Sequence, residues 1–338
     1  MDDQLLKSMK KDYLLSKDNT SHNFKSIHWD VFEENYEENF NFSKLWDTFL
    51  RNSLSLGLND SLSHISNDRF KGNSDLWKTL KNCKKNLIPK KIVDENEIKK
   101  IRTLLFYLLK KKGLNFVEKN LMSKIGDPQT VNFEVKDKNK TLKVNTHDIA
   151  EIFYKSYLDD FCNNLSKRCN PLIIEIGGGF GNMASKIKKT IPNCKYVILD
   201  LPEVNSLQKY YLSKEFIGKK ILGITDVKNE SSFNNLDFDF LILPGWMINK
   251  FSTNSIDGFI NVRSMMEMNY NTIDFYFQEI QKLIKKNGLF ACFNRFHKKI
   301  GFEIISFEKY PFDNLWEIVL SEKSLIQPDV NMLIVKRL

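Results

Sequence analysis

The stretch LIIEIGGGFGNMASKIKK, Leu172 to Lys189, runs from an apolar segment through Glu175 into a cluster of glycines, Gly177, Gly178, Gly179 and Gly181. A glycine turn between a strand and a helix lets backbone approach a ligand closely and aims the first N–H groups of the helix at it. A dinucleotide turn has the spacing GxGxxG, with an acidic residue near the end of the next strand for the ribose. Here the third glycine of the alternating set comes one residue early, so the dinucleotide pattern fails and a nicotinamide dehydrogenase is disfavoured. Asp200, at the end of the next apolar run, is well placed to bond a ribose diol. Ribose is common to both kinds of adenosine cofactor, so Asp200 does not separate them.

Three further segments place polar groups just after apolar runs. Pro244-Gly245-Trp246 closes FLILPGW, Asn261 and Arg263 end an apolar run that continues into Ser264 and Glu267, and Asn294, Arg295 and His297 follow GLFACF. Polar residues inside such apolar stretches are either networked or turned to a cleft. Arg263 and Glu267 also have the spacing of an ion pair that would only brace their loop. His147, near the start of a helix that precedes the glycine turn, is another titratable group with access to the same region.

The elements that must position these groups come in two regimes. Residues 1–125 read as a helical N-terminal region, a lid or a dimer contact. Its best-signalled helix has Asp94 and Glu97 at capping-box spacing, Ile98, Ile101, Leu105 and Leu108 on one face, and Gly113 at its end. Residues 126–338 read as the ligand-binding domain. Within it, residues 126–170 hold a hairpin from Thr130 to Asn145 around Asp137–Lys140 and a lead-in helix from Thr146 to Leu165.

From Pro171 onward strand and helix alternate, the pattern of a parallel sheet covered on both faces. The expected strands are Leu172–Ile176, Tyr196–Leu199, a short Ile221–Ile224, Phe238–Leu243, Ile256–Val262 and Leu289–Phe293. The expected helices are Asn182–Thr190, Pro202 to about Phe216, and one opened by Asn271 with Asp274 and closed by Asn287-Gly288. Two last β-runs, Leu315–Leu320 and Asn331–Val335, have no helix between them. They therefore pair antiparallel and give the sheet a reversed edge strand.

E-x-G-x-G-x-G at the turn, together with this antiparallel tail, resembles the Rossmann-like class I fold of S-adenosylmethionine-dependent methyltransferases. YVILDLPEVNSLQKYYL (196–212), FLILPGW (240–246), NSIDGFINVRSMMEM (254–268) and GLFACFNR (288–295) are similar to the bacterial sugar O-methyltransferase family, over about residues 120–300. The resemblance implies S-adenosylmethionine as cofactor and a sugar or glycan hydroxyl as acceptor. It implies that Glu175 and the four glycines hold the methionine part. Asp200 with Leu201 would hold the ribose, and Pro244, Gly245 and Trp246 would flank the adenine. Asn261, Arg263, Asn294 and Arg295 would contact the acceptor.

A hydroxyl is a poor nucleophile, so a general base should assist; Glu267, His297 and His147 are the candidates. A non-sugar acceptor methylated on O, N or S keeps the same chemistry. A catalytically silent cofactor-binding module is the rival of another class, and it has no need of Glu175, the glycines and Asp200 together.

Composition narrows the setting. The 338 residues are 42% hydrophobic and 12% aromatic, enough for a sizeable core. The net charge of +9 is spread as lysines along the chain, without the clustered, aromatic-interleaved pattern of a nucleic-acid groove. No apolar run is long enough to span a bilayer, and the N-terminus reads as lacking a signal peptide. Five cysteines without CxxC spacing point to free thiols in a cytoplasmic setting and against zinc. No carboxylate cluster signals another metal. A small-molecule or glycan acceptor is the expected partner, together with a homodimer contact.

Overall fold

The structure, a computed structural model, describes residues 3–18, 43–51 and 95–338. Its helices used below are α1 (Asp3–Asp18), α2 (Glu95–Lys112), α3 (Thr146–Tyr157), α4 (Asn182–Thr190), α5 (Pro202–Glu215) and α6 (Tyr270–Leu283). The strands are β1 (Thr130–Val135), β2 (Lys140–Asn145), β3 (Leu172–Ile176), β4 (Lys195–Asp200), β5 (Ile221–Leu222) and β6 (Phe240–Pro244). They continue with β7 (Ile256–Val262), β8 (Ile284–Arg295), β9 (His297–Ile300), β10 (Glu303–Ser306), β11 (Trp316–Lys323) and β12 (Val330–Arg337).

Eight strands form the main sheet in the order β11-β12-β8-β7-β3-β4-β6-β5. All point one way except β12, which runs antiparallel to both neighbours. This is the mostly parallel sheet that the alternation of strand and helix implies, with one reversed strand. The reversed strand is not at the edge, however. β12 inserts between β8 and β11, because the short Ser324–Asp329 connection folds the second strand of the pair back inside the first.

Alternation sorts the strand residues onto two cores. Ile173, Tyr196, Ile198, Phe240, Ile242 and Phe293 meet the side covered by α1 to α5. Ile174, Ile176, Leu199, Leu241, Phe259 and Phe290 meet the side covered by α6. By the same alternation Glu175 falls on the α3–α5 side, between two buried isoleucines.

Several local expectations shift for identifiable reasons. The lead-in helix breaks at Leu158 (φ −88°, ψ 8°), so α3 ends at Tyr157 and a second helix begins at Asp159. The cap of α6 is Asn269, whose side chain accepts from the Thr272 N–H at 2.9 Å, rather than Asn271. That helix stops at Leu283, and Asn287 (φ 60°) with Gly288 forms a kink inside β8. Only Ile221 and Leu222 of the short expected strand pair with β6, while Ile224 begins a helical turn. The β9–β10 hairpin had no strand signal, since His297-Lys298-Lys299-Ile300 carries too little alternation.

The described N-terminal residues share the core of the sheet domain. Asp12 of α1 accepts from Lys209 Nζ on α5 and from the Thr225 N–H at 2.9 Å, and Met9 and Tyr13 are buried beside them. Trp46 and Phe49 pack on Tyr210, with ring centroids 5.5 and 6.0 Å away. The expected α2 helix is present from Glu95 with Ile98, Ile101, Leu105 and Leu108 buried; its cap Asp94, the Ser55–Asp75 connections, Cys83, His22, His28 and His64 lie outside the described residues.

One buried ion pair fixes α3 to the helix of the glycine turn. Lys186 Nζ on α4 donates to Asp148 Oδ1 at 2.6 Å and to Asn182 Oδ1 at 2.8 Å. The second Asp148 oxygen accepts from the Met122 N–H at 2.7 Å. Removing one partner of such a pair leaves an uncompensated buried charge. Lys186→Met should lower unfolding stability in urea by about 3 kcal/mol; a loss below about 0.5 kcal/mol would show that the pair does not brace α3.

Candidate active site

The cleft opens at the carboxyl ends of the strands, where ligands bind in open α/β sheets. It is lined by Gly177, Leu199, Asp200, Leu201, Gly245, Trp246, Ser264, Glu267, Met268 and Tyr276, around an empty volume of about 530 Å3.

The turn is shaped by backbone that only glycine adopts without strain. Gly177, Gly179 and Gly181 have φ of 70°, 54° and 96°. A Cβ on Gly177 would lie 2.1 Å from Ser264 Oγ, and one on Gly178 would lie 2.6 Å from Ile198 Cγ2. Between the glycines Phe180 is buried against Phe49, His147 and Tyr211, with ring centroids 5.6, 5.2 and 5.1 Å away, which anchors the turn.

Asp200 sits at the end of β4 with its carboxylate pre-positioned. One oxygen accepts from the Leu201 N–H at 2.9 Å and the other from Gln208 Nε2 at 2.8 Å. The same Gln208 nitrogen donates to the Gly179 carbonyl at 2.8 Å, which ties this carboxylate to the turn. Burial pushes the Asp200 carboxyl up to about 7, against the opposing hydrogen bonds from Leu201, Gln208, Gly178 and Gly179. Glu175 accepts from the Tyr196 hydroxyl at 3.0 Å. Burial, and the nearby carboxylates of Glu151 and Asp200, hold it up near 8 despite that bond.

The loop after β7 behaves differently from its sequence reading. Arg263 does not pair with Glu267; it adopts a left-handed φ of 65° and its Nε is buried without a hydrogen-bond partner. Its charge acts on His147, Glu151 and Tyr154 of α3. Glu267, on the cleft wall, is instead paired with Lys298 Nζ of β9. Asn261 and Asn294 are fully buried and do not face the cleft. Asn294 Nδ2 donates to Asn261 Oδ1 at 2.7 Å, Asn261 Nδ2 donates to the Ile176 carbonyl at 2.8 Å, and Asn294 Oδ1 accepts from the Met266 N–H at 3.0 Å. These two amides are bracing, with their bonding capacity spent inside the protein. Arg295 lies 3.4 Å from Asp329, in an ion pair.

The two histidines also separate. His297 is exposed, with Nδ1 2.9 Å from Ser306 Oγ, and strand alternation turns it away from the face that carries Lys298 to Glu267. His147 faces the glycine turn through Phe180, and its Nδ1 is buried without a partner. Burial, Lys186 and Arg263 drive its pKa down to about 3, so the ring stays neutral. Pro244 ends β6 opposite Asp200, and Gly245 and Trp246 follow it into the cleft wall.

Sequence reasoning missed Ser264, Met268, Tyr276, Gln208 and Glu151. Gln208 and Tyr276 sit on helices whose apolar faces gave no polar signal. Ser264 is distinguished by tertiary contacts, donating to the Ile176 carbonyl at 2.8 Å and standing against Gly177. Among the described residues no three His, Cys, Asp or Glu side chains are grouped so as to hold a metal.

The profile of the O-methyltransferase domain family matches residues 126–221, the hairpin through the glycine turn to β5. No curated protein matches the chain in sequence. Among solved structures, the YcgJ protein of Bacillus subtilis is similar at 12% identity and a TM-score of 0.31, over 42% of this chain and 51% of that one; the chain thus spans about half its length. Mitomycin 7-O-methyltransferase MmcR is similar at 12% identity and TM-score 0.36, over 85% of this chain and 76% of that one. A geranyl diphosphate methyltransferase in complex with sinefungin is similar at 11% identity and TM-score 0.35, over 53% and 78%.

The match of residues 126–221 to the O-methyltransferase domain, together with the strand order and the three left-handed glycines, supports S-adenosylmethionine as the cofactor. The matched domain is that of the O-methyltransferases. The site fits the cofactor: the turn leaves no room for a Cβ at Gly177 or Gly178, and Glu175 and Asp200 are crowded carboxyls that a bound cation relieves. S-adenosylmethionine supplies an electrophilic methyl group on a sulfonium, and it carries a second positive charge on its ammonium.

Two outcomes follow from this geometry. Gly177→Ala should abolish cofactor binding in calorimetric titration and cost about 2 kcal/mol or more of stability, from a left-handed alanine and the clash with Ser264. Because a cation favours the ionised forms of Glu175 and Asp200, binding should release protons and tighten as pH rises between about 6 and 7.5, below the range where the ligand's own amino group titrates. Titration in buffers of different ionisation enthalpy reads that release; affinity flat with pH would refute the assignment of these carboxyls to the cofactor.

Proposed function

We propose that the protein transfers the methyl group to a hydroxyl of a sugar, free, nucleotide-linked or within a glycan. The observation that carries this reading is the group of polar side chains at one end of an otherwise largely apolar cleft. Beyond Ser264 the wall carries the Glu267 carboxylate, paired with Lys298, and the loop that bears it begins with Arg263, whose Nε is buried without a partner. Such groups suit a ligand rich in hydroxyls, which offers donors and acceptors in many directions. The segments 196–212, 240–246, 254–268 and 288–295, which resemble the sugar O-methyltransferases, contribute β4, β6, β7 and β8 and the loops that bound the cleft.

In this reading the glycines and Glu175 hold the methionine part, Asp200 the ribose, and Gly245 with Trp246 the adenine. Arg263 orients the acceptor, and residues 1–125 cover that side or form a dimer contact. Cys162, Cys169, Cys194 and Cys292 are all free, which supports a reducing, cytoplasmic setting. No described helix is long and apolar enough to cross a membrane.

The chemistry asked of the chain is alignment and proton removal. Holding the acceptor oxygen about 3 Å from the methyl carbon, in line with the bond that breaks, supplies much of the rate. The test is transfer of labelled methyl from S-adenosylmethionine to a panel of sugars, sugar nucleotides and non-sugar alcohols and phenols. Labelling of the sugar group alone is the expected outcome, and labelling confined to the others overturns the sugar assignment. Asp200→Ala should weaken cofactor affinity by roughly tenfold to a hundredfold, the loss of hydrogen bonds to a charged group.

A further inference from the structure

Of the groups suggested by sequence as the general base, none is free for the task. Glu267 is engaged by Lys298, His297 is exposed on the far side of its hairpin, and His147 is held neutral by two cations and its own burial. One carboxylate in the same region has no partner. Glu151 lies on α3 one turn beyond His147, so the two share a face of the helix. It is half-buried, and among the described residues its carboxylate makes no hydrogen bond or ion pair.

The surroundings of Glu151 are those of the glycine turn and of the loop after β7. Its charge acts on Glu175, the carboxylate beneath the glycine turn. Arg263, which begins the loop that continues into Ser264 and Glu267 on the cleft wall, acts on Glu151 in turn. Arg263 is held in a left-handed conformation, with a buried, unsatisfied Nε. His147 Nδ1 is a second buried, unsatisfied atom on the same helix face. Unpaired polar groups of this kind are costly in a folded protein, and a ligand's hydroxyls satisfy them.

We propose that Glu151 is the general base, accepting the proton of the acceptor hydroxyl, with Arg263 and His147 holding that acceptor against it. The inference rests on the hydroxyl-methylation reading above. In the step, the hydroxyl proton passes to the Glu151 carboxylate and the oxygen lone pair forms the new O–C bond to the methyl carbon. The C–S electron pair stays on sulfur, which leaves S-adenosylhomocysteine, and the proton then passes from Glu151 to water.

The groups facing Glu151 are Asp148 and Tyr154 on its own helix, with His147 one turn before it, Lys186 on α4, Arg263 after β7 and Glu175 on β3. Burial holds its carboxyl up near 7 and Asp148 adds to the rise, while Lys186 and Arg263 oppose it. A base poised near neutrality is the efficient choice for a reaction run at neutral pH.

The test uses the full chain and whichever acceptor the labelled-methyl panel identifies, sugar or not. Glu151→Gln should bind S-adenosylmethionine within about threefold of wild type, lower kcat by on the order of a hundredfold or more, and lose the rise of kcat with pH near 7. Glu151→Asp should recover part of kcat. Full turnover in Glu151→Gln, or an unchanged pH limb, overturns the assignment. A loss of cofactor affinity above tenfold would make Glu151 a cofactor anchor instead.

Infrared difference titration of wild type against Glu151→Gln reads the carboxyl without any acceptor. A band titrating near 7 supports the inference, and one at the ordinary carboxylate range overturns it. If the acceptor proves to be a non-sugar alcohol, the sugar reading fails while these readouts still decide Glu151.

Discussion

The carbonyl oxygen of Ile176, the last residue of β3, is the point on which the cleft depends. It cannot continue the sheet ladder, because the chain turns away at Gly177, and it is buried. Asn261 Nδ2 and Ser264 Oγ both donate to it, at 2.8 Å each. The two bonds draw the loop after β7 over the end of β3 so closely that position 177 has room only for hydrogen. Asn261 in turn is held by Asn294 from β8. One unsatisfied carbonyl thus orders three neighbouring strand ends, and the groups that follow Asn261, namely Arg263, Ser264 and Glu267, take their directions from it.

Around this knot the protein gathers negative charge in a chain that is strongly basic as a whole. Glu175, Asp200 and Glu151 are all pushed up toward neutrality, first by burial. A cluster of carboxyls poorly neutralised by the protein is a cost to the folded state, and it is lowered by a ligand that brings positive charge. The cofactor, with its ammonium and sulfonium, is such a ligand. The +9 surface does not compete for this role, because the lysines that reach the site are spent: Lys298 on Glu267 and Lys186 on Asp148.

The second layer of support comes from α3. It carries His147 and Glu151 toward the turn and Asp148 toward Lys186, so the same helix supplies the brace and two polar groups beside the turn. Asn145, the last residue of β2, caps α3 by accepting from the His147 and Asp148 N–H groups at 2.7 and 3.2 Å, which sets the helix phase.

Much of this was legible in sequence because it is local. Glycines spaced two apart require a turn with left-handed backbone, an apolar run flanked by Lys195 and Asp200 makes a strand with an acid at its end, and two β-runs without a helix must pair antiparallel. The resemblance that implies the cofactor class rests on these. What the tertiary structure decided is which polar residues are spent and which are free. Asn261 and Asn294 look like acceptor ligands in the chain and Glu267 like a general base, yet the first two are consumed by each other and by a carbonyl, and the third by a lysine on a hairpin with no strand signal. Glu151 looks like an ordinary surface position of an amphipathic helix, and it becomes distinctive only when Glu175 and Arg263 arrive beside it from β3 and the loop after β7. Partnership between residues distant in sequence depends on sheet order and helix phase, and no spacing along the chain encodes it.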